Sequence, residues 1–142
     1  MSNDVVLRCE ALTRTYGHGA TEVAALVDAS LEVRAGELVI LRGPSGSGKT
    51  TLLNLLGGLD TPTSGSVWVG DRQVTGASER DLIELRRHEI GYIFQTFALV
   101  SALSAAENVE LPMRLAGVAA AERTERVDEL LAIVGLADHH EQ

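Results

Sequence analysis

The sequence predicts an α/β fold, a parallel or mixed β-sheet with helices packed on it, and three observations carry that prediction. Apolar runs of strand length alternate with stretches of helical spacing along the chain. A glycine-rich stretch, Gly43-Pro44-Ser45-Gly46-Ser47-Gly48-Lys49-Thr50, joins one apolar run to the start of a helix. It fits the phosphate-binding pattern G-x-x-x-x-G-K-[ST] at every fixed position. Finally, 142 residues with 45% apolar content and no low-complexity tract suffice for one globular domain with a core.

The elements follow in order. Val5 to Leu12 and Ala25 to Val33 read as strands, and Ala35-Gly36-Glu37 as a turn. Leu38-Val39-Ile40-Leu41 reads as a buried strand leading into the glycine loop. Thr50 to Leu56 reads as a helix that Gly57-Gly58 ends. Asp60 to Gly65 is a turn cluster, Ser66 to Gly70 a short strand, and Gly70-Asp71 another turn. Ser78 can cap a helix running through Arg87, with Leu82 and Leu85 on one face. Ile90 to Phe94 is a second buried-strand candidate. Ser104-Ala-Ala-Glu107 is a capping box that opens a helix before Pro112. Val127, Leu130, Leu131 and Val134 keep helical spacing up to a stop at Gly135.

Charge and cysteine usage exclude several classes. The net charge of −8 disfavours broad nucleic-acid binding and direct adhesion to anionic lipid. Arg86-Arg87-His88 is a local basic exception, expected at the dipole-complementing end of a helix. No apolar run approaches the ~18–20 residues that span a bilayer, and charged residues interrupt the first ten positions too early for a signal peptide. Cys9 is the single cysteine, which rules out an internal disulfide, suits a reducing cytosol and predicts a packed core thiol. His139 and His140 read as exposed tail residues.

The chain has eleven arginines and one lysine, and the lysine is Lys49 in the glycine loop. A compact ammonium on a flexible stem fits among phosphates where a planar guanidinium does not. Gly43, Gly46 and Gly48 permit close backbone approaches, so successive N–H groups can turn inward as an anion nest. The helix start adds partial positive charge and free donors. Lys49 would reach the β- and γ-phosphates of a nucleotide, the Thr50 hydroxyl would ligate Mg²⁺, and Thr51 could bond a phosphate nearer the sugar. The loop alone leaves kinases, GTPases, recombinases and transport ATPases open.

Further stretches narrow the choice. Gly36-Glu37-Leu38-Val39, the loop, and Thr51 to Gly65 (TLLNLLGGLDTPTSG) closely resemble the ATP-binding subunit of ABC transporters. So does Arg86 to Gln95 (RRHEIGYIFQ). The resemblance runs from about Val5 to the end of the chain, and Ser104 to Pro112 looks most like the macrolide-export and lipoprotein-release group. It implies the ATPase fold of that family over one partial nucleotide-binding domain, 1–142, with 1–95 a β-rich core and 96–142 the start of a helical subdomain. Tyr16 then matches the aromatic that stacks on adenine. Gln95 matches the residue that approaches Mg²⁺ and the attacking water and reports the γ-phosphate to the transport partner. Phe97, Leu99, Val100 and Leu103 lie where the family meets a coupling helix.

The resemblance also implies function: ATP hydrolysis coupled to export or to lipoprotein or peptide release. The implied cofactors are ATP and Mg²⁺. The implied partners are a membrane-spanning permease and a second ATP-binding subunit in a head-to-tail dimer, at the cytoplasmic face of the plasma membrane. The family's signature sequence, its aspartate-ended Mg²⁺ strand, the following catalytic glutamate and the switch histidine do not occur within these residues. The sequence therefore reads as the N-terminal part of a longer ATPase, one that by itself binds nucleotide without hydrolysing it. A soluble phosphate-loop kinase or other NTPase, and a non-hydrolysing nucleotide binder, are the alternative readings.

Overall fold

A computed structural model describes residues 4–138. The chain divides after Arg86 into two compact units.

The first unit is built on a four-stranded sheet in the order β2-β1-β3-β4, with every neighbouring pair antiparallel. Its strands are β1 (Val5–Tyr16), β2 (Val23–Arg34), β3 (Ser64–Val69) and β4 (Arg72–Gln73). A short 3-10 turn, Gly19–Thr21, reverses the chain between β1 and β2. Tyr16 pairs with Val23 at that end, and Val5 pairs with Arg34 at the other. Both long strands extend beyond the predicted runs because each completes the other's backbone hydrogen bonds.

A bulge sets which side chains of β1 face inward. Cys9 and Leu12 are both fully buried, yet strict alternation puts residues three apart on opposite faces. The register shifts between them, and Ala11 takes a left-handed φ of 49°. Its N–H leaves the ladder and donates to the Ser30 hydroxyl at 3.0 Å. The extra residue returns Leu12 to the core face. At the same place, a Cβ on Gly65 would stand 2.4 Å from the Ala11 carbonyl oxygen, so only glycine lets β3 approach.

Helix α1 (Lys49–Leu56) lies against this sheet and buries Leu52, Leu55 and Leu56 with Cys9, Leu12 and Val67. Helix α2 (Glu79–His88) adds buried Leu85, on the face that helical spacing predicted. Burial raises the Cys9 thiol, whose Sγ points at the Ala29 carbonyl at 3.7 Å.

Two predicted strands do not form. Residues 38–41 run as irregular chain, with Leu38 87% and Ile40 63% exposed. Residues 90–94 are irregular too, with Ile93 fully exposed. Runs of this kind are strands of a sheet covered on both faces and paired on both edges. Among the described residues no strand pairs with either run, so the parallel part of the expected sheet is not formed.

The second unit holds α3 (Ala105–Leu115) and α4 (Ala120–Ile133), packed on each other. The capping box forms as predicted. The Ser104 hydroxyl accepts from the Glu107 N–H at 3.3 Å, and the Glu107 carboxylate accepts from the Ser104 N–H at 2.8 Å. The helix continues through Pro112 to Leu115, past the expected boundary. Val127 and Leu131 face inward from α4 and Leu130 is half-buried, whereas Val134, the last of the predicted apolar positions, is 66% exposed; Glu122, Glu125, Asp128 and Glu129 are exposed. Arg123 ties the pair together, donating to the Glu110 carboxylate and the Val118 carbonyl, both at 2.6 Å. No described helix is long and apolar enough to cross a membrane. His139 and His140 lie outside the described residues.

Candidate functional site

The glycine loop wraps the first turn of α1. Gly48 caps the helix in a left-handed conformation, φ 83°, and a Cβ there would meet the Ala25 carbonyl oxygen at 2.4 Å. Only glycine satisfies both conditions. The first helical hydrogen bond runs from the Leu52 N–H to the Gly48 carbonyl at 2.8 Å. The N–H groups of Lys49, Thr50 and Thr51 therefore precede the helical ladder and have no carbonyl one turn back. Thr50 is exposed and Thr51 half-buried.

Lys49 turns back over the loop. Its ammonium donates to the carbonyls of Gly43 at 3.0 Å and Pro44 at 2.8 Å, and to the Ser47 hydroxyl at 3.2 Å. Gly43, Pro44, Ser47 and Lys49 are thus brought together, with Ser45 and Gly46 exposed at the loop's outer edge. The cation sits where an entering phosphate oxygen can exchange with carbonyl oxygens as its partner. A fixed positive charge, free helix-start donors and a loop without side-chain bulk fit a polyphosphate. Among the described residues no cluster of three His, Cys, Asp or Glu is placed to hold a metal ion. The loop and the helix start offer hydroxyl oxygens at Ser45, Ser47, Thr50 and Thr51, and Mg²⁺ usually takes few protein ligands beside nucleotide phosphates.

Tyr16 ends β1 and is part of a three-residue cluster. Its hydroxyl donates to Asp60 Oδ2 at 2.7 Å. The Arg14 guanidinium lies over its ring, 4.4 Å from the centroid. Arg14 also grips Asp60 with both prongs, Nε to Oδ2 at 3.0 Å and Nη2 to Oδ1 at 2.8 Å. Burial acts to raise the Asp60 carboxyl, but hydrogen bonds from Tyr16 and the Thr61 N–H, with the Arg14 charge, bring it below its ordinary value. Arg14 is raised in turn, chiefly by its interaction with Tyr16. Sequence reasoning missed both partners. Arg14 shares a strand face with Tyr16 by the two-residue period, a signal that was available, whereas Asp60 read only as part of a turn.

Gln95 is exposed and belongs to the second unit. Phe97 and Leu99 beside it are 91% and 68% exposed. The Asn108 side chain, which sequence reasoning left without a role, closes the turn that follows. It accepts from the Val100 N–H and donates to the carbonyls of Val100, Leu103 and Ser104.

Comparison with known proteins identifies the family of the chain. The sequence profile of the ABC transporter family matches residues 26–142. The macrolide export ATP-binding/permease protein MacB of Burkholderia thailandensis is 48% identical over 133 residues, which cover 94% of this chain and 20% of MacB. The lipoprotein-releasing system ATP-binding protein LolD of Chromohalobacter salexigens is 44% identical over 135 residues, covering 95% of this chain and 57% of LolD. A solved ATP-binding cassette, MJ0796, dimeric and bound to ADP and Pi in a post-hydrolysis state, superposes with a TM-score of 0.85 at 36% identity. That match covers 95% of this chain and 61% of the cassette. The chain thus spans less than two thirds of the length of each of these proteins. The profile match over residues 26–142, the cassette fold and the identity with these relatives together make this chain a member of the ABC transporter family, homologous to the ATP-binding domains of MacB and LolD.

Proposed function

We propose that this chain is the ATP-binding subunit of a bacterial ABC transporter, binding Mg-ATP at the Gly43–Thr51 loop and serving export or lipoprotein or peptide release. The observation that carries the proposal is the Lys49 ammonium held over the loop by three oxygens. In this reading Lys49 neutralises the β- and γ-phosphates, and backbone N–H groups of Ser45 to Thr51 line the phosphate chain. The Thr50 hydroxyl would hold Mg²⁺, which would supply charge neutralisation at the transferred phosphoryl group. Tyr16 stacks on the base.

The wider assignments follow from the family and from the names of the relatives. A membrane-spanning permease is the transport partner, and a second ATP-binding subunit completes a head-to-tail dimer. The net charge of −8 disfavours nucleic acid as a partner, and the subunit sits at the cytoplasmic face of the plasma membrane. Residues 1–95 act as the nucleotide-binding core and 96–142 as the start of a helical subdomain. Residues 1–142 contain no signature sequence and no acidic Mg²⁺ strand. On their own they bind nucleotide without turning it over.

Fluorescent-nucleotide titration tests the core of the proposal. Lys49→Ala removes charge-assisted bonds worth about 1.5–3 kcal/mol, so ATP affinity should fall by roughly 10- to 150-fold. Arg114→Ala, an exposed position near the end of α3, should leave it unchanged. Equal affinity of the two variants would sink the assignment.

A further inference from the structure

The Arg14–Tyr16–Asp60 cluster does more than satisfy its own polar groups. Three contacts fix the Tyr16 ring. The hydroxyl is tied to Asp60 Oδ2, one ring face is covered by the Arg14 guanidinium, and Arg14 is locked by two bonds to the same carboxylate. Tyr16 nevertheless keeps 41% of its surface exposed. A ring covered on one face and still this exposed is a one-sided platform.

Asp60 is itself held by backbone. Its N–H and that of Leu59 both donate to the Asn54 carbonyl in α1, at 3.3 and 2.8 Å. Thr63, three residues on, donates to the Thr13 carbonyl at 2.8 Å and accepts from the Thr15 N–H at 3.0 Å. The carboxylate therefore stands in a segment fastened to α1 on one side and to β1 on the other. Side chains 46 and 44 residues away, Arg14 and Tyr16, are positioned by it.

We infer that Arg14 and Asp60 are positioning residues for nucleotide binding, holding the Tyr16 ring with one face presented to the base before any nucleotide arrives. The inference rests on the reading that Tyr16 stacks on the base. A ring already immobilised loses less freedom on binding, and each immobilised side chain of this kind is worth about a 2- to 10-fold change in affinity. The effect is confined to base recognition, because Lys49 and the loop meet the phosphates without any contact to Asp60.

The test compares ATP with inorganic tripolyphosphate, which carries a three-phosphate chain and no base, in titrations of the purified chain. Asp60→Ala should weaken ATP by about 2- to 10-fold and leave tripolyphosphate unchanged. Arg14→Gln should behave the same way while leaving the backbone contacts of Asp60 in place, so misfolding of one variant does not remove the test. Introducing Asp60→Ala into a Tyr16→Ala background should have no further effect, since the ring it positions is gone. A purely structural role for Asp60 predicts the opposite on both counts: equal weakening of ATP and tripolyphosphate, and additivity with Tyr16→Ala. Either result overturns the inference. Tyr16→Ala weakening ATP while neither Asp60→Ala nor Arg14→Gln does so overturns it too, and leaves the stacking reading intact. Tyr16→Ala with no effect on ATP overturns the stacking reading and the inference with it.

Discussion

The Asn108 side chain bonds both the N–H and the carbonyl of Val100, at 2.8 and 3.2 Å, as a strand neighbour would. One amide thereby fastens the segment after Gln95 to the first turn of α3. Asn108→Ala leaves those backbone groups without their protein partners. Amide hydrogen exchange over 100–104 should accelerate, while 120–133 in α4 should keep its wild-type protection. Unchanged exchange over 100–104 would show that the turn holds itself.

Tyr16 should read a nucleobase generically, because stacking needs a π-face and no base-specific hydrogen bond. Tyr16→Ala should weaken ATP and GTP alike, by ~1–3 kcal/mol. Tyr16→Trp should largely preserve both. A variant that discriminates strongly between the two bases in a nucleotide titration would contradict this account.

Asp60 carries a pH dependence. Its carboxyl is held below the ordinary value in the folded chain, so the folded state favours the ionised form. The resulting stabilisation is complete above the unfolded carboxylate range near ~4 and is lost as pH falls through the folded value. Wild type should therefore exceed Asp60→Asn in urea midpoint at pH 7, and the gap should close as the pH is lowered through that range. A gap that stays constant down to strongly acid pH would show that the charge of Asp60 is irrelevant.

Two leucines test where the core lies. Leu55 is 1% exposed and Leu38 is 87% exposed. Leu55→Ala should cost about 2–5 kcal/mol, whereas Leu38→Ser should lie within about 0.5 kcal/mol of wild type. Equal losses in urea denaturation would mean that residues 38–41 are buried in solution.

Hydrolysis gives the fifth expectation. In-line attack needs a held Mg²⁺, an aligned water and donors around the developing charge. On the proposed assignment, Lys49 and Thr50 supply only part of that set. The purified 142-residue chain should bind ATP and release no phosphate at a steady rate. Mg²⁺-dependent release abolished by Lys49→Ala would point to an unrecognised base, with Glu107 the first acidic residue to substitute.

What the sequence revealed depended on the range of the interaction. The glycine loop and the Ser104–Glu107 capping box were legible because their partners lie within a few residues of each other. The inward positions Val127 and Leu131 of α4 were legible from helical period alone. Leu38 to Leu41 and Ile90 to Phe94 carry the composition of buried strands, but pairing is a property of the neighbours, which composition does not contain. Arg14 and Asp60 meet across 46 positions, a contact no local pattern encodes. Helix α3 passes Pro112 at the cost of one backbone hydrogen bond, and its bonding resumes beyond it, where the Ala116 N–H donates to the Pro112 carbonyl at 3.0 Å.

The bulge at Ala11 makes β1 sensitive to where its length changes. Leu12 shares the inward face of Cys9 only because one supernumerary residue between them, Ala11 with φ 49°, is set aside from the alternation. Deleting Ala11 would leave a plain strand in which Leu12 follows Cys9 by two positions and still points inward. Inserting a residue between Leu12 and Tyr16 would instead turn whatever follows to the opposite side of the sheet and part the ring of Tyr16 from the carboxylate of Asp60. Substitutions along this strand act one side chain at a time, whereas that insertion would undo the Arg14–Tyr16–Asp60 cluster as a whole. Length changes in this segment should therefore be tolerated at the bulge and in the 17–22 turn, where the two strands reverse, and not between Leu12 and Tyr16.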